Sequence, residues 1–273
     1  MAEEYRALYP LKYYRDHISQ DFRTDGRQFL DFRPIIINTR SISTADGSAI
    51  VKIGKTTVVC GIKAELCRPK PHTSNEGFLV SNLELPPSCS PKFRSGPPSN
   101  QVQILRKLIA DIIESSRCVD LKELCILKGK LAWCLYVDFT CLDYDGCVVD
   151  ACLIALTACL KTVTLPHVDY DPALDIKQVN LEHRIPITVH CSLVATTFAI
   201  YDDKIILVDP SIEEEDLGSG TVTIVVKEDE LCCVHKPGGT PLSEEDLLKL
   251  IEKSKKRGSS VRELINAAVK NTT

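Results

Sequence analysis

This 273-residue chain contains a single methionine, a single tryptophan and few aromatic residues overall (6%), and its formal net charge is only −4. Free-standing nucleic-acid-binding proteins usually carry a basic excess, so the composition does not favour that class. No apolar run approaches the roughly 18 residues that a membrane-spanning helix needs. The stretch 1–14 mixes charged residues with tyrosines and has no apolar signal-peptide core, which predicts an intracellular protein.

The chain also lacks the spacings that mark metal sites. It has thirteen cysteines, an odd number, without any C-x-x-C motif, and none of its six histidines has a histidine partner at i, i+4 or lies in a Cys/His cluster. Several cysteines lie inside apolar runs, namely Cys60, Cys134, Cys141, Cys152 and Cys159. In a reducing compartment such residues act as small core side chains, so we expect no metal, no disulfide framework and no cofactor.

Apolar runs and turn signals predict an α+β protein. The predicted strands are 33–43, 48–53, 56–65, 78–85, 123–126, 130–142, 185–190, 196–201, 204–209, 221–227 and 230–236, with two-residue turns at 54–55 and 202–203. The predicted helices are 10–19, 101–116, 147–163 and a last one from the N-cap candidate Ser243 toward Val269. The helix 147–163 is nearly all apolar, which predicts that it is buried on most sides. Because strands occur in groups that helices close, we expect two β-α lobes with mixed sheets.

The predicted domain organisation follows from these groups. It comprises an N-terminal helix and loop (1–30), a first lobe (31–165), a linker-like stretch rich in polar residues and proline (166–183), and a second lobe (184–273).

The junction between the strand 130–142 and the helix 147–163 has the form of an anion-binding corner, because a helix N-terminus offers free N–H groups and partial positive charge. Here it carries Asp143, Asp145 and Asp150 and no neighbouring cation. The sequence therefore predicts a corner that repels phosphate. One alternative is an aspartyl-phosphate motif like that of haloacid-dehalogenase-type phosphatases, with Asp143 as nucleophile and Mg²⁺ as cofactor. The following residues do not show the alternating β-α units that this reading needs, and an acidic helix cap is the simpler alternative.

Two other groups of residues could carry chemistry. Asp209 and Glu215 stand six residues apart at a strand end, so they could bind a divalent metal or act as a general acid, or they could belong to a solvated acidic loop. Lys63, Lys92, Arg94 and Arg106 are the candidate RNA contacts. Arg94 follows Phe93, a pairing that suits phosphate contact or base stacking, although these cations could equally pair with acids of a neighbouring subunit.

Five segments resemble the RNase PH family, and within it the non-catalytic ring subunits of the RNA exosome. The matching segments are 23–27, 43–61, 93–98, 142–151 and 207–215. The resemblance implies the RNase PH fold (ribosomal protein S5 domain 2-like). It also implies that phosphorolytic relatives hold phosphate with a loop of small residues, a hydroxyl and an arginine.

In this chain the matching phosphate positions are Cys147, Val148 and Val149, which offer neither hydroxyl nor guanidinium. The resemblance places a catalytic carboxylate at Asp209 and a second one at Glu215. These are therefore interpreted as positions of a degenerate site, and we expect no catalysis by this chain. The alternative is an active phosphate-dependent 3′-to-5′ exoribonuclease.

The same resemblance implies a set of partners. They are paralogous RNase PH-like subunits in a six-membered ring of heterodimers, S1/KH cap subunits, an associated processive nuclease and single-stranded RNA in the shared channel, with no membrane. The implied roles are rRNA processing and mRNA decay, and the implied locations are the nucleus, the nucleolus and the cytoplasm.

Overall fold

The computed structural model describes residues 2–171, 176–201 and 205–271, and its larger sheet has six strands. The strands are β1 (Ile35–Thr39), β2 (Gly47–Ile53), β3 (Thr56–Cys67), β4 (Phe78–Glu84), β5 (Cys125–Leu127) and β6 (Leu131–Asp143). Their order is β1-β2-β3-β6-β4, with β5 paired to β6. Only β4 runs parallel to its neighbour, so this sheet is mixed, as predicted.

A β-hairpin follows the first sheet, where the sequence suggested a linker. Strands β7 (Thr164–Asp171) and β8 (Ile176–Pro186) pair antiparallel as a two-stranded sheet. The linker prediction for 166–183 is therefore wrong for the described part of that stretch. Pro166 lies beside a register shift, a position where the ladder tolerates a residue without an N–H. The strand predicted at 185–190 is also wrong for the most part, because β8 ends at Pro186.

The second sheet is wholly antiparallel. It consists of β9 (Leu193–Tyr201), β10 (Ile205–Val208), β11 (Gly220–Lys227) and β12 (Glu230–His235), in the order β10-β9-β11-β12. The prediction of mixed sheets in both lobes thus holds for the first sheet only. The turn predicted between β9 and β10 lies outside the described residues.

Six α-helices complete the described part of the fold: α1 (Ala2–Leu8), α2 (Pro10–Ile18), α3 (Asn100–Ser116), α4 (Val148–Leu160), α5 (Ile212–Leu217) and α6 (Glu244–Lys270). Every residue of α4 is buried, since it packs on β2 and β3 of the larger sheet and on β9 of the smaller one. The continuous apolar run of its sequence predicted this position. Buried side chains of both sheets join one hydrophobic core around α4.

Two local signals were confirmed and one was wrong. The hydroxyl of Ser243 accepts a hydrogen bond from the N–H of Asp246 (3.1 Å) and caps α6. Gly54 and the residue after it form the predicted two-residue hairpin turn. The acidic stretch interpreted as a possible solvated loop instead forms α5, which begins with a capping box between Ser211 and Glu214.

Candidate functional site

The corner between β6 and α4 is built by two residues with positive φ. Gly146 has φ +79° and Cys147, the N-cap of α4, has φ +51°. A Cβ atom on Gly146 would lie 2.6 Å from the carbonyl oxygen of Pro210, closer than real Cβ atoms approach oxygen. Glycine is therefore required here, because the corner and the backbone before α5 are in direct contact.

The anion at the start of α4 is a side chain of the protein itself. The backbone N–H of Cys147 donates to Oε1 of Glu215 (2.8 Å), and the hydroxyl of Tyr144 donates to its Oε2 (3.2 Å). Burial raises the pKa of Glu215 to about 7, although these two hydrogen bonds act in the opposite direction. A carboxylate of this chain therefore lies at the helix end where an anionic ligand would bind.

Asp209 is held in a buried ion pair. Its carboxylate accepts from the Arg33 side chain at 2.6 Å and 3.0 Å, and from the Arg33 backbone N–H at 2.8 Å. Only 3% of Asp209 and 6% of Arg33 is exposed. Burial alone would raise the pKa of Asp209, but the hydrogen bonds and charge of Arg33 bring it below its ordinary value. Asp209 is thus an ionised structural partner of Arg33.

The prediction that no cation stands near this corner is wrong. Arg33 also donates to the backbone oxygen of Asp145 (2.7 Å), with its side-chain oxygen 3.4 Å away. No motif in the sequence singled out Arg33, which lies just before β1. The signal that could have found it is physical: a carboxylate as deeply buried as Asp209 needs a cation.

The three aspartates of the corner have different surroundings. The side chain of Asp143 is exposed at the end of β6, whereas Asp150 is buried. Asp150 accepts hydrogen bonds from the N–H (2.9 Å) and the hydroxyl (2.7 Å) of Thr197 on β9. Burial raises the pKa of Asp150 to about 7. Asp150 therefore connects α4 to the second sheet instead of facing a ligand at the turn.

The four consecutive acids of α5 each hold a different part of the chain. Glu215 binds the corner, as described above. Glu213 accepts from Arg6 and Tyr14 of the N-terminal helices, Glu214 forms a buried pair with Arg23, and Asp216 pairs with Lys92 at 2.6 Å. The solvated-loop alternative is therefore wrong, and α5 ties the N-terminal segment and the loop 91–98, here called the basic loop, to the corner.

A cavity of about 360 Å³, here called the corner cavity, opens in front of this corner. It is lined by Gln101, Ile104, Leu105, Leu108, Tyr144, Cys147, Val148, Val149, Thr197, Glu215, Asp216, Thr221, Thr223, His235 and Pro237. Four of the five predicted degenerate-site positions, Cys147, Val148, Val149 and Glu215, therefore line this cavity. Asp209 is not part of the lining. Within the described residues, this lining contains neither lysine nor arginine.

A second cavity of about 460 Å³, here called the basic cavity, collects three of the four candidate RNA contacts. Lys92 is paired with Asp216, and Nε of Arg106 donates to the Leu83 backbone oxygen (2.5 Å). Arg94 is exposed and has no ion-pair partner in the described part of the chain. Lys63 lies elsewhere, on the exposed face of β3.

Phe93, the aromatic neighbour of Arg94, is not placed to stack on an RNA base, so that part of the prediction is wrong. Phe93 is only 6% exposed, and its ring packs edge-on against Tyr144 with the centroids 5.2 Å apart. Phe93 therefore anchors the basic loop to the corner. Phosphate contact by Arg94 stays a prediction.

Within residues 2–171, 176–201 and 205–271, no group of three or more histidine, cysteine or acidic side chains is arranged to hold a metal ion. Across the same residues, no helix combines the length and the apolar character needed to cross a membrane. All thirteen cysteines are free thiols, and nine of them are buried, including Cys147, whose pKa burial raises.

Comparison with known families decides the classification. The model of domain 1 of the 3′ exoribonuclease (RNase PH) family matches residues 31–166, and the model of domain 2 matches residues 191–257. The chain belongs to the RNase PH family. Membership agrees with the sequence resemblance and with the α+β fold described above.

RNase PH-family relatives match nearly the full chain. A Schizosaccharomyces pombe protein described as "Exosome complex component rrp43" is 39% identical over 251 residues, which cover 91% of this chain and 92% of that protein. The "Exosome complex component Rrp42" of Methanothermobacter thermautotrophicus is 36% identical, with 86% of each chain covered. A chain of the solved "archaeoglobus fulgidus exosome with RNA bound to the active site" superimposes with a TM-score of 0.82 at 33% identity, covering 93% of this chain and 96% of that one.

Family membership also removes the phosphatase alternative. That alternative required alternating β-α units after Asp143, whereas α4 is followed by a hairpin and an antiparallel sheet. Asp143 lies at the exposed end of β6.

Proposed function

We propose that this chain is a ring subunit of an RNA exosome and that it does not itself catalyse phosphorolysis. The similarity to exosome components over about nine-tenths of the chain supports the ring role. One structural observation carries the second part of the proposal: the carboxylate of Glu215 lies 2.8 Å from the N–H of Cys147, at the helix end where a phosphate would have to bind.

The electrostatics of the corner support the same reading. A phosphate ion at the start of α4 would compete with Glu215 for the N–H of Cys147 and would meet the charge of that carboxylate. Two negative charges about 4 Å apart near a protein surface repel each other by about 4 kcal/mol. Arg33 is bonded to Asp209 and to Asp145, and Lys92 is paired with Asp216. A bound phosphate would therefore find neither a free helix N–H at Cys147 nor a free guanidinium.

The proposal is tested by incubating the purified chain with a single-stranded RNA, Mg²⁺ and increasing phosphate. We expect no release of nucleoside diphosphates above background, because phosphate is not held at the corner. Phosphate-dependent release would contradict the proposal if it disappears in Val149→Glu, which places a charge in the corner cavity. Circular dichroism checks that Val149→Glu is folded. Release of nucleoside diphosphates that persists in this variant would come from a contaminating nuclease.

We further propose that the chain works beside paralogous subunits in a six-membered ring, with S1/KH cap subunits, a separate processive nuclease and RNA in the channel. Its proposed locations are the nucleus, the nucleolus and the cytoplasm. The support is the similarity to proteins described as exosome components and to an exosome structure that contains RNA.

Arg94 is the residue of the basic cavity best placed to contact RNA phosphates, because it is exposed and unpaired in the described part of the chain. We expect Arg94→Glu to weaken RNA binding by the assembled ring about tenfold at low salt, and to reduce the salt dependence by about one phosphate contact. Fluorescence anisotropy with a labelled single-stranded RNA at several salt concentrations measures both.

The matched control is Lys256→Glu, a charge reversal at an exposed position of α6 where Lys256 pairs with Glu252 (2.7 Å). It is expected to leave both quantities unchanged. Equal effects of the two variants would show that only the total charge matters and would remove Arg94 from the RNA path.

A further inference from the structure

Four side chains that line the corner cavity present hydrogen-bond acceptor oxygens, namely Tyr144, Thr197, Glu215 and Thr223. The hydroxyl of Thr197 donates to Asp150 (2.7 Å), so in its hydrogen bond with Thr223 (3.0 Å) it accepts. The hydroxyl of Tyr144 donates a hydrogen bond to Glu215. Each of these hydroxyl oxygens donates its proton to a neighbour and still has lone pairs that can accept a hydrogen bond. The side chains of the cavity therefore favour a ligand that donates hydrogen bonds.

The cavity also carries the carboxylate of Glu215, on which Lys92 and Arg33 act without forming an ion pair. Of its two acidic side chains, Asp216 is neutralised by Lys92 at 2.6 Å. Glu215 accepts only from a neutral hydroxyl and a backbone N–H, and forms no ion pair with any described residue. A ligand cation beside Glu215 would supply the direct charge partner that this part-buried carboxylate lacks.

Much of the remaining lining is apolar, beside the polar side chains of Gln101, Thr221 and His235. Ile104, Leu105 and Leu108 line one side from α3, and Val148 and Val149 line the other from α4. Ile104 is 55% exposed whereas Leu108 is only 9% exposed, so the α3 wall runs from the surface into the core. An aliphatic stem that ends in a single cation matches this combination of apolar walls and one carboxylate.

We propose that the corner cavity binds the cationic end of a lysine or arginine side chain that a partner protein supplies. The stem packs between α3 and α4, and the ammonium or guanidinium group donates to Glu215 and Thr223. A free polyamine fits less well, because it carries further charges along its chain that would lie against Leu105 and Val148. The site does not depend on the proposed ring function, since its geometry lies within this chain.

The test uses the full chain with labelled isoleucine, leucine and valine methyl groups and follows their NMR shifts during titration. The probes are n-butylguanidinium, the neutral analogue n-butanol, inorganic phosphate, capped arginine (N-acetyl-arginine methylamide) and spermidine. We expect saturable shifts at Ile104, Leu105 and Val149 with n-butylguanidinium, about tenfold tighter than with n-butanol, and none with phosphate. Capped arginine should bind more tightly than spermidine.

Two variants separate a charge contact from simple filling of a cavity. Glu215→Gln should remove most of the tenfold preference for n-butylguanidinium, whereas Asp111→Asn, an exposed carboxylate of α3 outside the cavity, should leave it intact. If Glu215→Gln does not fold, Ile104→Lys at the exposed mouth of the cavity serves instead. It should weaken the binding of n-butylguanidinium without weakening the binding of n-butanol.

Equal affinity for the cation and the alcohol, or phosphate shifts at the same methyl groups, would overturn the proposal. Tighter binding of spermidine than of capped arginine would overturn the assignment to a protein side chain. The cation results are independent of the phosphorolysis assay, whereas phosphate shifts at these methyl groups would also remove the reason given for its expected result.

Discussion

Replacing Arg33 by methionine is expected to lower the free energy of unfolding by about 3–5 kcal/mol, the usual cost of breaking a buried ion pair from one side. The substitution removes the side-chain donors at 2.6 Å and 3.0 Å from the Asp209 carboxylate. What remains is the backbone N–H of residue 33 (2.8 Å) and a long contact to Arg27 (3.5 Å). Urea denaturation followed by circular dichroism at pH 7 measures the loss.

Two comparisons make this result specific. Lys256→Met breaks an exposed i, i+4 pair on α6 and should cost less than about 1 kcal/mol. Combining Arg33→Met with Asp209→Asn should recover at least about 2 kcal/mol relative to the sum of the single changes, because a neutral amide needs no cation. Asparagine also tolerates the left-handed backbone of this position, where φ is +50°. A loss below about 1 kcal/mol for Arg33→Met would mean that water reaches Asp209 and that the pair is not structural.

The elements that the sequence predicted well are those whose signals are local. The nearly continuous apolar run of α4 predicted a helix buried on most sides, and the structure buries every residue of it. Ser243 and the acids after it predicted the start of α6, since capping involves residues only three apart. Strand positions followed from apolar alternation, although their bounds shifted by a few residues. The motif resemblance predicted the family, which the two family models confirmed.

The parts that the sequence did not predict depend on contacts between distant residues. Arg33 and Asp209 are 176 residues apart, and the pair from Arg23 to Glu214 spans 191 residues, so no window of sequence contains either. Phe93 looked available for stacking until its contact with Tyr144 was known. The corner was predicted to repel phosphate through its own aspartates, whereas the carboxylate that lies there comes from α5. The assignment of the degenerate site and of the RNA contacts stays a prediction.

Gly146→Ala is the second change for which we expect a large effect, a loss of about 3 kcal/mol or more in the free energy of unfolding. Part of it comes from placing a side chain at φ +79°, which costs about 1–2 kcal/mol. The larger part comes from the new Cβ atom, which would lie 2.6 Å from the oxygen of Pro210 and 2.9 Å from the backbone carbon of Ser211. Both neighbours are backbone atoms at the start of α5, so no side chain can rotate away to make room.

Gly129→Ala is the matched control, because Gly129 has nearly the same φ (+75°) and a Cβ atom there would meet nothing within 4 Å. It should show the conformational cost alone, about 1–2 kcal/mol. The difference between the two variants then measures how firmly the corner is pressed against the segment before α5. Because that contact sets Glu215 against Cys147, Gly146→Ala should also shift the amide resonance of Cys147, whereas Gly129→Ala should not. Equal losses for the two variants would mean that α5 moves aside at no cost, and then Glu215 would not be fixed at the end of α4.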